Sequence, residues 1–225
     1  MIVAIHQPNY LPYLGFFDKM NKSDIFVIYD DAQFNKEDFQ HRNRIRIHHG
    51  WKYLAVPVEK KRIPIKNIRI KNELVLKGMT WQETHLKNIR ENYKDAPYYK
   101  LYDDHLEKIY SDEYDQLVDL NMSLIHFLKD IVGIKTKIIF ASELGFATKS
   151  TERLVNITES LGGTAYLSGP AGRSYLDVSL FERRGIRVKF QDFKHPVYKQ
   201  RYKGFIPNMS AIDVLFNIGA MINIK

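Results

Sequence analysis

The chain opens with a short apolar run, a helical segment and a second apolar run, and this order constrains the fold more than any other feature. Residues 2–6 predict a buried strand, residues 13–21 a helix, and residues 25–29 a second strand. Units of this length place neighbouring strands parallel, with the loop after the first strand at their carboxyl ends. We therefore expect an α/β fold whose ligands bind at that edge of the sheet.

The same alternation returns in the last third of the chain. Residues 136–141, 164–168 and 186–191 predict strands, and residues 150–161 predict a helix that ends at two glycines. A last helix is expected over 210–217. There Ser210 would be the cap and Asp213 would complete a capping box with aspartate in place of glutamate.

Two segments of a different kind separate these ends. Residues 51–70 carry prolines and alternation, which predict extended strands at an edge or in a small β excursion. Residues 80–128 have a helical pattern that predicts two or three helices. We expect one α/β domain over residues 1–225, with a mostly parallel sheet, flanking helices and a helical insertion at about 80–130.

Composition excludes several classes of protein. The chain has no cysteine, so disulfides, thiolate zinc sites and cysteine nucleophiles are excluded. No apolar stretch approaches the roughly 18 residues that a membrane helix needs, and no basic leader precedes the first strand. We expect a cytoplasmic protein without a membrane-spanning segment.

The positive charge is concentrated in one segment. Residues 36–71 contain eleven lysines or arginines against three acids, a balance of +8 that equals the net charge of the whole chain. A local cationic field attracts phosphate groups on a nucleotide, a sugar nucleotide or RNA. The alternative is a solvated basic surface without a ligand.

A polar cluster follows the first predicted strand, where apolar residues give way to a turn with two prolines. Its members are His6, Gln7, Asn9 and Tyr10. A histidine at the carboxyl edge of a sheet can act as a base, or donate a proton to an oxyanion or a phosphate. The alternative is a histidine that only forms hydrogen bonds within its own loop.

Paired aspartates and a basic loop form a second cluster after the second predicted strand. Asp30 and Asp31 can hold Mg²⁺ or orient an amine or hydroxyl nucleophile. Forked hydrogen bonds from Arg42 and Arg44 suit a phosphate. The alternative is a turn beside a solvated basic face. The remaining candidate ligand-binding residues of this cluster are Gln33, Lys36 and Asn43.

Further candidate ligand-binding residues lie later in the chain, each with a structural alternative. They are His85, Ser168, Tyr198, Gln200 and Asn208. The tyrosine could stack on a sugar and the amides could pair with its hydroxyls. The turn at Ser168 has glycines that let backbone amides approach a phosphate, although a plain turn fits it equally. No residue spacing predicts a metal site made by histidines.

These motifs together resemble the WbqC-like family of bacterial O-antigen and related polysaccharide gene clusters. The resemblance covers nearly the whole chain. Its strongest parts are residues 6–17 (His-Gln-Pro-Asn-Tyr-Leu-Pro-Tyr-Leu-Gly-Phe-Phe), 29–34 (Tyr-Asp-Asp-Ala-Gln-Phe), 56–58 (Val-Pro-Val), 166–169 (Tyr-Leu-Ser-Gly), 196–200 (Pro-Val-Tyr-Lys-Gln) and 208–217 (Asn-Met-Ser-Ala-Ile-Asp-Val-Leu-Phe-Asn).

The resemblance implies a role in surface-polysaccharide assembly, as a transferase that attaches glycine or another acyl group to an amino sugar. In our hypothesis His6 or Asp31 takes a proton from the sugar amine, and Arg42 and Arg44 hold the diphosphate. A nucleotide-linked amino sugar is the expected partner, with RNA disfavoured. Mg²⁺ and ATP are candidate cofactors, while the acyl donor and the oligomeric state stay open.

Two alternative functions stay open. The strand that ends in a histidine turn is also similar to the opening of nucleotidyltransferases and class I synthetases, which favours an adenylyl or nucleotidyl transferase that activates a carboxylate. The second histidine of that motif is absent, and residues 14–16 stand near its place. The other alternative is a sugar-nucleotide or RNA-binding module without catalysis.

Overall fold

The structure, a computed structural model, describes residues 1–219. Within them the strands are β1 (Ile2–His6), β2 (Ile25–Ile28), β3 (Arg42–Ile47), β4 (Gly50–Ala55), β5 (Val75–Leu76), β6 (Met79–Thr80), β7 (Lys137–Phe140), β8 (Ala165–Ser168) and β9 (Arg187–Phe190). The α-helices are α1 (Leu14–Asn21), α2 (Trp81–Tyr93), α3 (Asp103–Ser111), α4 (Leu117–Ile131), α5 (Ser150–Ser160), α6 (Val178–Glu182) and α7 (Ala211–Ile218).

Five strands form one parallel sheet in the order β7-β2-β1-β8-β9. Val3 in the central strand lies opposite Ile25 on one side and Tyr166 on the other. The prediction of an α/β fold with a mostly parallel sheet is therefore confirmed. The chain leaves β1 toward β2 and later returns to the other side of β1 as β8. The direction of winding thus reverses between β1 and β8, the place where open α/β sheets bind ligands.

Helices cover both faces of this sheet, as the unbroken apolar sequence of its central strands requires. On one face Ala4, Phe26 and Ile28 pack against α1 and the helical insertion. On the other face Val3 and Val27 pack against α5 and α6. Each face therefore has its own apolar core, and a side chain at a strand end lies on the side of one core or the other.

The helical insertion contains three helices, within the expected number. Thr80 caps α2 by accepting a hydrogen bond from the Glu83 amide, while the Glu83 carboxylate accepts one from the Thr80 amide. This reciprocal pair satisfies two amides that a helix start otherwise leaves unpaired. Within residues 1–219, no helix is both long and apolar enough to cross a bilayer.

The β excursion differs from the sequence prediction in its position. The basic residues 42–47, expected to be a loop, form β3, which pairs antiparallel with β4. By contrast, Ile65–Asn67 is a 3-10 helix flanked by isolated bridges rather than part of a continuous strand. The prolines at 57 and 64 lack the amide that a continued ladder needs, so the pairing ends there.

The last helix begins where predicted, but the proposed capping box is wrong. Ser210 caps α7 through its side chain, which accepts a hydrogen bond from the Ile212 amide. Asp213 instead points into the protein and is fully buried. Its side chain is one methylene shorter than that of glutamate, and buried tyrosine and glutamine side chains bind its carboxylate.

Candidate functional site

The candidate site lies at the carboxyl edge of the sheet, where the loops after β1 and β8 diverge. His6 ends β1 and Gly169 follows β8. The chain turns away in opposite directions from these two strands, which is the arrangement that binds ligands in open α/β sheets.

His6 presents a neutral imidazole at this edge. The ring is partly exposed and packs between Phe16, with ring centroids 5.0 Å apart, and Phe26, at 6.5 Å. Its Nδ1 donates a hydrogen bond to the carbonyl oxygen of Gln7 at 2.9 Å. Burial, and then the charge of Lys19, lower the pKa of His6 to about 3. In this tautomer Nε2 keeps its lone pair and can accept a hydrogen bond from an amine or hydroxyl.

Lys19 is a buried lysine close to His6. It projects from α1, is 3% exposed, and donates from Nζ to the carbonyl oxygen of Ile5 at 2.7 Å. Loss of hydration lowers its pKa to about 7. The end of β1 thus holds one neutral base and one amine that is only partly protonated near neutral pH.

Several buried amides fix the loop that follows His6. Asn121 of α4 donates to the carbonyl oxygens of Pro8 at 3.0 Å and Gln40 at 2.8 Å. Asn43 donates to those of Tyr10 and Leu11. Leu11 has φ +41, a backbone conformation that branched and bulky residues rarely adopt. Strain of this kind persists only where the surroundings hold it in place, as these amides do.

Gln7 and Asn9 also lie in this loop. The Gln7 side-chain oxygen accepts a hydrogen bond from Gln40 at 2.7 Å, and Gln40 in turn accepts one from the Asn35 amide. Gln7 is partly exposed and Asn9 is 8% exposed. With its oxygen held by Gln40, the Gln7 side chain still has an amide nitrogen that can donate to a ligand.

The paired aspartates have different partners. Both oxygens of Asp30 bind Ser142, one to its amide at 3.0 Å and one to its hydroxyl at 2.6 Å, which ties the end of β2 to the end of β7. Asp31 forms an ion pair with Arg153 of α5. The second oxygen of Asp31 is buried without a recorded partner.

His6 and Asp31 belong to opposite faces of the sheet. His6 packs on the α1 side, whereas Asp31 binds Arg153 on the α5 side, beside the ring of Tyr29. The two side chains thus have separate neighbours, and the arrangement favours one of them as the base rather than a shared pair.

The turn after β8 is filled by its own side chains. The Ser168 hydroxyl is fully buried and donates to the carbonyl oxygen of Gly169 at 3.0 Å. Residues Pro170–Ser174 form a 3-10 helix over it, and a Cβ on Gly172 would overlap the Ser168 oxygen. This packing favours the plain turn over a phosphate loop.

Arg42 and Arg44 lie on the hairpin of β3 and β4. The Arg42 guanidinium stacks 4.7 Å from the Tyr53 ring and donates to the Glu37 carbonyl. Arg44 stacks 5.2 Å from the Trp51 ring and donates to the carbonyl of Asn208. These contacts occupy the guanidinium groups on the hairpin surface, which favours a structural role over phosphate binding.

A basic cleft opens beside the end of β2, and two of the predicted residues line it. Its volume is about 720 Å³, and its lining includes Gln33 and Lys36 with the loop at 60–62. Both predicted residues are exposed to solvent. The cleft is the place where the charge of residues 36–71 faces an open cavity.

The other predicted residues form two buried networks. The Tyr10 hydroxyl bonds Nδ1 of His85 at 2.7 Å and also bonds Tyr110. Burial lowers the pKa of His85 to about 3. This network joins the first loop to α2 and α3, so it favours a role in folding for Tyr10 and His85.

The second network is centred on Asp213. Its carboxylate accepts hydrogen bonds from Tyr93 at 2.8 Å, from Tyr198 at 2.5 Å and from Gln200 at 2.9 Å. Tyr198 and Gln200, both candidate ligand-binding residues, thus lie together around a carboxylate of the protein. The side chain of Asn208 is exposed at the turn that precedes α7.

Sequence reasoning missed the residues that hold this edge together. Lys19 had a detectable signal, because it falls three residues after Phe16 on the apolar side of α1, where a lysine is unusual. Arg153 and Asn121 have no local signal. Arg153 lies 122 positions from Asp31 in the sequence, and Asn121 lies 113 positions from Pro8.

A metal is not indicated by the geometry of the described residues. No group of three or more histidine, aspartate or glutamate side chains within residues 1–219 could hold an ion. Both oxygens of Asp30 already accept hydrogen bonds from Ser142.

Comparison with known proteins gives two matches. The profile of the WbqC-like protein family matches residues 7–223. The uncharacterized protein Rv1507c of Mycobacterium tuberculosis is 37% identical over 220 residues, which make up 97% of this chain and 94% of that protein. No solved structure matches the chain.

Proposed function

The chain belongs to the WbqC-like protein family, and from this premise we propose that it is a transferase of bacterial surface-polysaccharide biosynthesis. It joins an acyl or aminoacyl group, such as glycyl, to the amine of a nucleotide-linked amino sugar. The donor is an activated acyl compound, either a thioester or an acyl adenylate.

The observation that carries this proposal is the neutral imidazole of His6 at the winding reversal of the sheet. A neutral ring with its proton on Nδ1 offers Nε2 as an acceptor for the sugar amine, which is held with its lone pair toward the donor carbonyl. Gln7 donates to a sugar hydroxyl beside it. The fixed loop keeps both side chains in place before the substrate binds.

The reaction balances without a covalent enzyme intermediate. The amine attacks the acyl carbon, a carbon–nitrogen bond forms, and the bond to sulfur or to the adenylate oxygen breaks. The amine proton passes to Nε2 of His6 and then to the leaving group or to water. An anionic substrate raises the pKa of His6 above its value in the free protein, because negative charge favours the imidazolium ion.

In this scheme His6 rather than Asp31 is the base. Asp31 is held by Arg153 on the other face of the sheet, and its role is to position the loop after β2. The diphosphate is assigned to other groups than Arg42 and Arg44, because those guanidinium groups stack on the hairpin rings.

The experiment measures acyl transfer with UDP- and dTDP-linked amino sugars, using acyl-CoA or glycine with ATP, and detects the product by its mass. His6→Phe fills the space between Phe16 and Phe26 but removes both ring nitrogens. We expect at least a ~100-fold loss of transfer with little change in melting temperature, since general bases contribute about 10²–10⁴. His105→Phe is the matched control, because His105 is exposed and stacks on Phe127 in the helical insertion. A His6→Phe protein with the wild-type rate would remove His6 from the chemistry.

Adenylyl transfer is the second candidate function. It is favoured by the position of His6 at the end of the central strand of an open parallel sheet. It predicts that ATP and a carboxylic acid release pyrophosphate in a reaction that needs Mg²⁺ and does not need the amino sugar. The same substrate screen separates the two functions, because only the first consumes the amine.

A further inference from the structure

The volume of the basic cleft is that of a small-molecule site. Its volume of about 720 Å³ falls within the range of roughly 300–1,000 Å³ that is typical of ligand pockets. One wall is the loop after β2 and the other is the loop after β4. Its charged lining residues are Lys36, Asp38, Lys60, Lys61 and Arg62.

Four cations and one carboxylate line this cleft, and two of the cations have acidic partners beside it. Lys61 pairs with Glu59 at 2.8 Å and Lys36 lies 4.0 Å from Glu37. Among the described residues, no ion pair is recorded for Lys60 or Arg62. The pKa of Glu59 is lowered, first by its hydrogen bond with Lys61 and further by the charges of Arg69 and Lys71.

A buried histidine lies behind the cleft. His41 is 5% exposed, its ring packs edge-on against Phe34 of the cleft wall at 5.4 Å, and its Nδ1 has no recorded partner. Burial, and then the charges of Arg42 and Lys60, lower the pKa of His41 to about 4, while Glu37 opposes them. The pKa of His41 therefore responds to the charges in and beside the cleft.

The cleft is firmly attached to the edge of the parallel sheet. The Phe34 amide donates to the Ile63 carbonyl at 2.9 Å, and the Lys66 amide donates to the carbonyl of Asp30 at 2.8 Å. These bonds run between the two loops that form the walls. A ligand anchored in the cleft is thus held at a fixed distance from the strand ends.

We infer that this cleft binds the diphosphate of a nucleotide ligand, with Lys36, Lys60 and Arg62 on the phosphates and Asp38 on a hydroxyl of the ribose or sugar. The inference rests on the proposed function and names the part of the site that holds the nucleotide. Ammonium and guanidinium groups supply the charge that a diphosphate requires. Asp38 accepts a hydrogen bond from the Asn35 side chain at 3.0 Å and keeps further acceptor positions for a hydroxyl.

Calorimetric titration of the full chain with inorganic pyrophosphate, UDP and uridine tests the inference. The double variant Lys60→Gln/Arg62→Gln should weaken the binding of pyrophosphate and UDP about 10-fold, since each exposed charge contributes up to roughly 5-fold to affinity. The affinity for uridine should not change. The matched control is Lys100→Gln/Lys108→Gln, which removes the same charge from exposed positions of the helical insertion. Asp38→Asn should have the opposite effect and strengthen the binding of pyrophosphate, because it removes the carboxylate that lines the cleft.

Two outcomes would overturn the inference. One is an equal loss in the cleft variant and the control variant, which would mean that only the net charge of the protein matters. The other is unchanged binding in the cleft variant. We also expect the pKa of His41, measured from the NMR chemical shifts of its ring protons, to rise when pyrophosphate binds to the wild-type protein.

The same variants separate this inference from the proposed function. Acyl transfer that persists in the cleft variant with unchanged nucleotide affinity would retain the function and reject the cleft. Loss of pyrophosphate affinity in a protein that transfers no acyl group would retain the cleft and reject the transferase.

Discussion

The ammonium group of Lys19 donates a hydrogen bond to the carbonyl oxygen of Ile5, 2.7 Å away, inside the layer between α1 and the sheet. Ile5 immediately precedes His6, so this one bond fixes α1 to the strand end that carries the candidate base. A lysine that is 3% exposed loses most of its hydration, which explains why its pKa lies near 7.

Lys19 should make the stability of the protein rise with pH above neutrality. Its pKa is lower in the folded state than the ordinary 10.5, so between about pH 7 and 10 the unfolded chain holds a proton that the folded chain has released. The free energy of unfolding, measured in urea, should therefore increase across this window by a few kcal/mol at most. Lys19→Met should flatten the rise.

Lys22→Met is the control for this prediction, because Lys22 lies on the same helix with a largely exposed side chain that pairs with Asp18. The free energy of unfolding of the Lys22→Met protein should depend on pH as that of the wild type does. If Lys19→Met and the wild type gave parallel curves, Lys19 would titrate normally in the folded protein.

Asn121→Asp should destabilise the loop that carries His6. The side-chain nitrogen of Asn121 donates to two carbonyl oxygens, and a carboxylate at the same place would face both of them with negative charge. We expect a loss of about 3 kcal/mol at pH 7, with part of it recovered in acid as the new carboxyl group protonates. Asn121→Leu lacks the charge and should show a loss without this dependence on pH. An unchanged melting temperature of Asn121→Asp would contradict the prediction.

Asp213→Asn should cost about 2–3 kcal/mol of stability. Three donors converge on this buried carboxylate, and an amide cannot accept from all of them because half of its polar atoms are donors. Asp192→Asn, at an exposed position, should be neutral. Burial raises the pKa of Asp213 while these donors oppose the shift. A stable Asp213→Asn protein would therefore show that the native carboxyl group is protonated.

Gly172→Ala should displace the 3-10 helix that follows β8. The added Cβ would overlap the Ser168 hydroxyl and lie 2.9 Å from the Leu176 side chain, so we expect about 1–3 kcal/mol of destabilisation. Gly169→Ala should be tolerated, because nothing lies within 4 Å of its Cβ. The double variant Ser168→Gly/Gly172→Ala should regain stability, and additive losses in this double-mutant cycle would show that the two positions do not meet.

The sequence predicts the sheet well because its signal is local. The central strands are short apolar runs, and three helix starts have a capping residue, Thr80, Asp177 and Ser210. The position of His6 at the edge of the sheet follows from the same local pattern. The strand order within the sheet is not local, and only the structure supplies it.

The hydrogen-bond and stacking partners of the candidate site residues could not be predicted, because they come from distant parts of the chain. Arg42 and Arg44 have the composition of a phosphate site, yet the rings of Tyr53 and Trp51 on the neighbouring strand occupy them. Asp213 fits a helix cap by spacing, yet Tyr93 binds it from a position 120 residues away. Pattern alone cannot distinguish a polar residue that binds a ligand from one that binds its own protein.

The central place of β1 in the sheet has a consequence for the order of folding. Ile2 pairs with Ala165, so β1 leaves the ribosome long before β8, which is one of its two neighbours in the sheet. Until then β1 and β2 expose an unpaired apolar edge, which is a site of aggregation in a nascent chain. Contacts of such long range also slow folding. We expect this protein to depend on chaperones during synthesis, and fragments that stop before β8 to be recovered as insoluble material.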